Sequence, residues 1–198
     1  MNPMSADTSS SLRDRLRTST ASLHRSVDDI MGRMLRRPDG GYEHFLSLSA
    51  RAIFPLERAL NRANVTSVLP DWPQRSRAAA LQSDLEAFSI PAPTIEDLRN
   101  ESRLHDEAYQ FGVLYVLEGS RLGGRAILQN LLKVPEQARA HGYMYLSHGA
   151  GQPLWRTFLE RLEASAAARR RSESAIAGAV ATFERFVSCG QLDQERRD

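Results

Sequence analysis

Tyr115-Val116-Leu117-Glu118-Gly119-Ser120-Arg121-Leu122-Gly123-Gly124-Arg125 is the stretch on which the reading of the fold turns. Around it, Leu104, Ala108, Phe111, Leu114, Leu117, Leu122, Ile127 and Leu131 recur at steps of three to five residues, the spacing of one helical face. The pattern predicts a long helix over about Ser102–Leu132, interrupted in its middle, where three glycines fall within six residues. Each glycine costs roughly 0.5–1 kcal/mol relative to alanine, so about 2–3 kcal/mol of helix stability needs a compensating reason. One reason is a kink with bare backbone lying against a flat ligand. The others are close helix–helix packing through small residues, or two helices joined by a loop. A phosphate-binding loop is a poor fit, since no strand precedes the glycines and the Walker lysine is missing.

Outward from this stretch the helical signal continues. Leu12, Leu16, Leu23, Val27, Ile30 and Met34 form one apolar stripe behind the candidate caps Ser10 and Ser11, and Pro38, Asp39, Gly40 and Gly41 stop it. A second helix is expected over about Tyr42–Ala63, kinked at Pro55. Val65–Pro73 reads as a loop, Gln74–Phe88 as a third helix, and Ile90–Pro93 as a break. Thr94 with Asp97 resembles a capping signal. Tyr143–Pro153 reads as a glycine-rich loop, followed by helices over Leu154–Arg170 and Glu173–Ser188. The expectation is an all-α, single-domain compact helical bundle over 12–189, with a flexible arm at 1–11 and a polar tail at 190–198.

Composition narrows the function classes. Of 198 residues, 41% are hydrophobic, enough for a sizeable core. The net charge of +2 gives no general reason to expect nucleic acid as a partner. Cys189 is the only cysteine, so no intrachain disulfide can form, which fits a reducing compartment. No apolar run approaches the roughly 18 residues of a membrane span, and no hydrophobic signal core opens the chain. The expected setting is the cytoplasm.

His24 lies beside the first apolar stripe. A single histidine there is more often a boundary residue than a ligand. Asp28, four residues on, shares its face and can accept a ring N–H, fixing which nitrogen meets a metal. Arg17 lies seven residues earlier, about 10 Å along the same face. A cation there could reach the acidic edge of a flat cofactor centred on the histidine. The plain alternative is a solvated helix edge.

Thr20-Ala21-Ser22-Leu23-His24, together with the Leu-Glu-Gly-Ser-x-Leu-Gly-Gly segment, resembles the heme oxygenase family. The likeness is to its bacterial, bacteriophytochrome-associated branch, and extends over about Leu12–Phe186. It implies heme b, as cofactor and substrate, held between a proximal and a kinked distal helix. His24 would be the axial iron ligand, Asp28 would orient the proximal side, and Arg17, Tyr115 and Arg156 would meet the propionates. Gly119, Ser120, Gly123 and Gly124 would form the distal wall, and Phe183 would line the pocket. The reaction implied is oxidative opening of heme to biliverdin, with release of CO and ferrous iron. It uses O2 and an external donor of the ferredoxin or flavodoxin reductase type, with a bacteriophytochrome as the implied biliverdin acceptor. Ser120 departs from the animal pattern, which carries an aspartate there.

Three rival readings remain at this level. A heme carrier or sensor would keep His24 and the propionate partners without turnover. A non-heme iron oxidase would need Glu-x-x-His pairs, and the sequence has none; Glu101 and His105 are four apart. An interaction protein could use Arg169, Arg170 and Arg171, although a basic helix end is ordinary. His44, His105, His141 and His148 match no ligand spacing.

Overall fold

The computed structural model describes residues 10–37, 40–94, 98, 101–134 and 142–195. The N-terminal arm up to residue 9, the Pro38–Asp39 stop, the Asp97 half of the capping signal, His141 and residues 196–198 lie outside this set. Ser11 caps α1 (Leu12–Leu35) by accepting the Asp14 N–H at 3.1 Å. The α1 stripe is buried at Leu12, Leu16 and Met34, but only half-buried at Leu23, Val27 and Ile30. α2 (Gly41–Arg62) starts behind Gly40, which takes the left-handed φ of 64° that glycine tolerates, and runs unbroken across Pro55.

The expected third helix is instead two, α3 (Trp72–Arg75) and α4 (Ala78–Ala87). The cause is tertiary. The buried Glu57 carboxylate of α2 accepts Ser76 Oγ at 2.5 Å, and the Arg77 and Ala78 N–H groups at 2.9 and 3.0 Å. A carboxylate on the first N–H groups of α4 supplies the cap that no neighbouring side chain provides.

A 3-10 segment, Glu101–His105, leads to Asp106, which caps α5 (Glu107–Leu131) through the Ala108 N–H at 2.8 Å. α5 therefore starts five residues later than the spacing suggested, and it continues as one helix through Gly119, Gly123 and Gly124. The glycine-rich loop contains one turn of helix, α6 (Met144–Ser147). Its Met144 and Tyr145 N–H groups both donate to Asp84 at 2.9 Å, and burial raises the Asp84 carboxyl above its usual range. Ser165 adopts extended backbone and divides the next helix into α7 (Leu154–Ala164) and α8 (Ala166–Arg170). α9 (Ser172–Glu195) carries helix into the expected polar tail, and Gly190 there is buried against Ile30 of α1.

All described regular structure is helical. α5 lies most extensively against α9, and α9 also carries α1. Gly112 and Gly178 allow that approach: a Cβ on Gly112 would run into the Ala175 carbonyl, and one on Gly178 into the Tyr109 carbonyl. With backbones this close, α1 and the second half of α5 stand over a cavity rather than meeting across it. No described helix is long and apolar enough to cross a membrane.

Candidate heme site

The cavity has a volume of about 450 Å³ and brings together nine of the ten residues singled out from the sequence. Arg17, His24 and Asp28 border it from α1, Tyr115, Gly119, Ser120, Gly123 and Gly124 from α5, and Phe183 from α9. A space of this size suits a cofactor-sized ligand.

His24 Nδ1 lies 2.8 Å from Asp28 Oδ2, four residues along the same face. That bond places the proton on Nδ1 and leaves the Nε2 lone pair available as a ligand. The imidazole is 61% exposed and packs against Phe183, with ring centroids 5.6 Å apart. The ring therefore borders the cavity and is not part of the buried core.

The α5 glycines divide into two kinds. Gly112 serves helix packing. A Cβ on Gly123 would meet nothing within 4 Å, and one on Gly119 would meet only Trp155, at 3.6 Å. Close packing therefore does not account for Gly119 and Gly123. They leave a strip of bare helix where methyl groups would enter the cavity. Gly124 is tighter, with Leu146 at 3.4 Å from its Cβ position. Gly123→Ala separates the two explanations. The substitution should raise stability by up to about 1 kcal/mol, or a few degrees in melting temperature. Turnover of hemin should fall, because the methyl occupies ligand space. A lower melting temperature would mean that the glycine serves packing after all.

One end of the cavity is cationic. Arg13 and Arg17, one helical turn apart on α1, both line it. Burial pushes the Tyr115 hydroxyl above its usual range, and Arg13 and Arg17 oppose that shift, so both cations act on this tyrosine. Trp155 packs on Tyr115 at 5.5 Å and on Phe158 at 5.8 Å. Arg156 does not share that orientation. The next residue on a helix is turned by about 100°. Arg156 is 74% exposed, faces Glu160 at 3.8 Å and does not line the cavity. Arg13, which the sequence reading passed over, does line the cavity, and its signal was available: it stands four residues before Arg17, on the same face.

The cavity wall also holds Arg77, which no local pattern announced. Arg77 Nη2 donates to the Leu117 carbonyl at 2.8 Å and to Ser120 Oγ at 2.9 Å, while Ser120 Oγ donates to the Leu117 carbonyl at 2.8 Å. Glu118 turns away from the cavity into a buried network, 2.6 Å from Arg75 and 2.8 Å from Arg121. Ser49 Oγ is buried beside the cavity with no partner among the described residues. A buried hydroxyl left unpaired costs about 1–3 kcal/mol, which water or a ligand group can relieve.

The cavity, the histidine–carboxylate pair, the exposed glycine strip and the paired arginines all fit a flat, dianionic, iron-bearing ring. Among the described residues there is no group of three or more His, Cys, Asp or Glu side chains that could hold a metal ion. Comparison with known proteins agrees. The family model for heme oxygenase matches residues 10–191. The chain is 36% identical over 152 residues to a heme oxygenase of Xanthomonas campestris pv. campestris (strain 8004), covering 75% of this chain and 87% of that protein. No solved structure matches significantly. On the family model and this relative together, the chain belongs to the heme oxygenase family.

Proposed function

We propose that the chain binds heme b in this cavity through His24 and opens the ring with O2 and external electrons. The products of this reaction are biliverdin, CO and ferrous iron. The observation that carries the reading is the strip at Gly119 and Gly123, whose missing side chains leave open space in the cavity that His24 also borders.

When bound, heme supplies the redox-active iron and is itself the substrate. His24, with its proton held on Nδ1 by Asp28, offers Nε2 to the metal. Arg13 and Arg17 face the propionate edge, and a guanidinium fork suits a carboxylate. With Tyr115 they would hold the bound ring in one orientation. Gly119, Gly123 and Gly124 would let main chain lie close to the bound ring. The buried Arg77 guanidinium holds the Ser120 hydroxyl oriented. The reading extends to a ferredoxin- or flavodoxin-reductase-type donor, a bacteriophytochrome as biliverdin acceptor and a cytoplasmic setting.

Mixing the protein with hemin should give a one-to-one complex. Adding a reductase system in air should then bleach the heme band, release CO and leave biliverdin. A heme spectrum that persists under reductant and air would identify a carrier and defeat the proposal.

A further inference from the structure

One histidine of the cavity has no task in either the sequence reading or the proposed chemistry. His148, on the turn after α6, lines it together with Ser120 and Arg121. Its Nδ1 lies 3.3 Å from Nη1 of Arg121. A guanidinium has only donors, so Arg121 donates and Nδ1 accepts. The ring is then neutral, with its single proton on Nε2.

Arg121 is not free to relax this arrangement. It is 5% exposed, and its Nε and Nη2 donate to Glu118 Oε1 at 3.0 and 2.8 Å. Nη2 also donates to the Arg75 carbonyl, and Nη1 to the His148 carbonyl at 3.4 Å. Glu118 is fixed in turn by Arg75, which is also bonded to Asp71 and to the Leu154 carbonyl. The backbone of the turn is set by Gly149, with a φ of +72°, where a Cβ would press on Leu154 at 2.5 Å. Burial, with Arg121 and Arg77, pushes the imidazole below its usual range, and Glu118 opposes this. All these influences are built into the fold, and together they hold a neutral imidazole at neutral pH.

The Nε2–H has no partner among the described residues. Ser120, at the position the family resemblance points to, already donates its hydroxyl proton to the Leu117 carbonyl. We propose that His148, oriented by Arg121, is the hydrogen-bond donor to an anionic ligand on the open face of bound heme, in place of Ser120. The assignment rests on the heme reading above and names a positioning residue that the family motif does not contain.

The test uses the full chain loaded with ferric hemin, with fluoride as the probe. Fluoride is a small anion that only accepts hydrogen bonds. His148→Leu should weaken fluoride binding by at least about tenfold, the loss expected for one hydrogen bond to a charged acceptor. It should also shift the long-wavelength charge-transfer band. His148→Gln, which restores an N–H donor, should recover most of the affinity. Independently, nitrogen-15 spectra of the heme-free protein at neutral pH should show His148 as the Nε2–H tautomer. Fluoride affinity within about twofold of wild type in His148→Leu, or an Nδ1–H tautomer, overturns the assignment while leaving the heme reading intact. Failure of wild type to form a hemin complex at all overturns both.

Discussion

His24→Ala should lower hemin turnover by about a hundredfold or more while leaving the heme-free protein folded. Loss of a metal ligand exceeds the 10–100-fold typical of losing a partner behind the ligand. The structure predicts little stability cost. The imidazole is mostly exposed, and an exposed pair like that with Asp28 is worth at most about 1 kcal/mol. Hemin should still enter, because Arg13, Arg17 and the apolar walls remain, but with an altered absorption spectrum. Added imidazole should restore part of the wild-type spectrum by filling the vacated ligand position. Parallel measurement of hemin spectra, pigment yield and melting temperature checks all three points. A variant that turns over normally would remove His24 from the iron.

Gly112→Ala should destabilise the fold by about 3 kcal/mol, at the upper end for overpacked cores. The added methyl has no room: it runs into the Ala175 carbonyl on α9, and the neighbouring Ala179 N–H lies 2.7 Å from the same Cβ position. Rotamer changes cannot relieve a clash with backbone, so α5 and α9 must separate. For a chain of this size the loss corresponds to roughly 10 °C in melting temperature. Chemical denaturation of Gly112→Ala beside Gly123→Ala makes the comparison internal, since both place alanine in the same helix. Equal stability of the two would show that the α5–α9 approach is not limited by Gly112.

The helical class and most helix positions were legible because they rest on local periodicity. His24, Asp28 and Arg17 were legible because helical spacing alone places them on one face. What escaped the sequence is what distant residues impose. Glu57 splits α3 from α4 by capping Ala78 from twenty-one positions away. Asp84 builds α6 inside an apparent loop from sixty positions away. That Arg156 lies outside the cavity lining was not legible, because only the packing of Trp155 on Tyr115 fixes which side of α7 faces inward. Arg77, Arg121 and His148 meet at the cavity from three separate elements, and none belongs to a repeating pattern. The role of the glycines was equally hidden, since composition cannot tell a glycine that admits another helix from one that borders a void.

Within one helix, then, Gly112 and Gly123 pull in opposite directions under selection. A library of variants scored only for folding should purge alanine at 112 and accumulate it at 123, because a bare helix beside unfilled space is a standing weakness. Activity alone would hold position 123 open. The degree to which natural or evolved sequences keep it as glycine therefore reports how strongly they are held to their chemistry rather than to their thermal resilience.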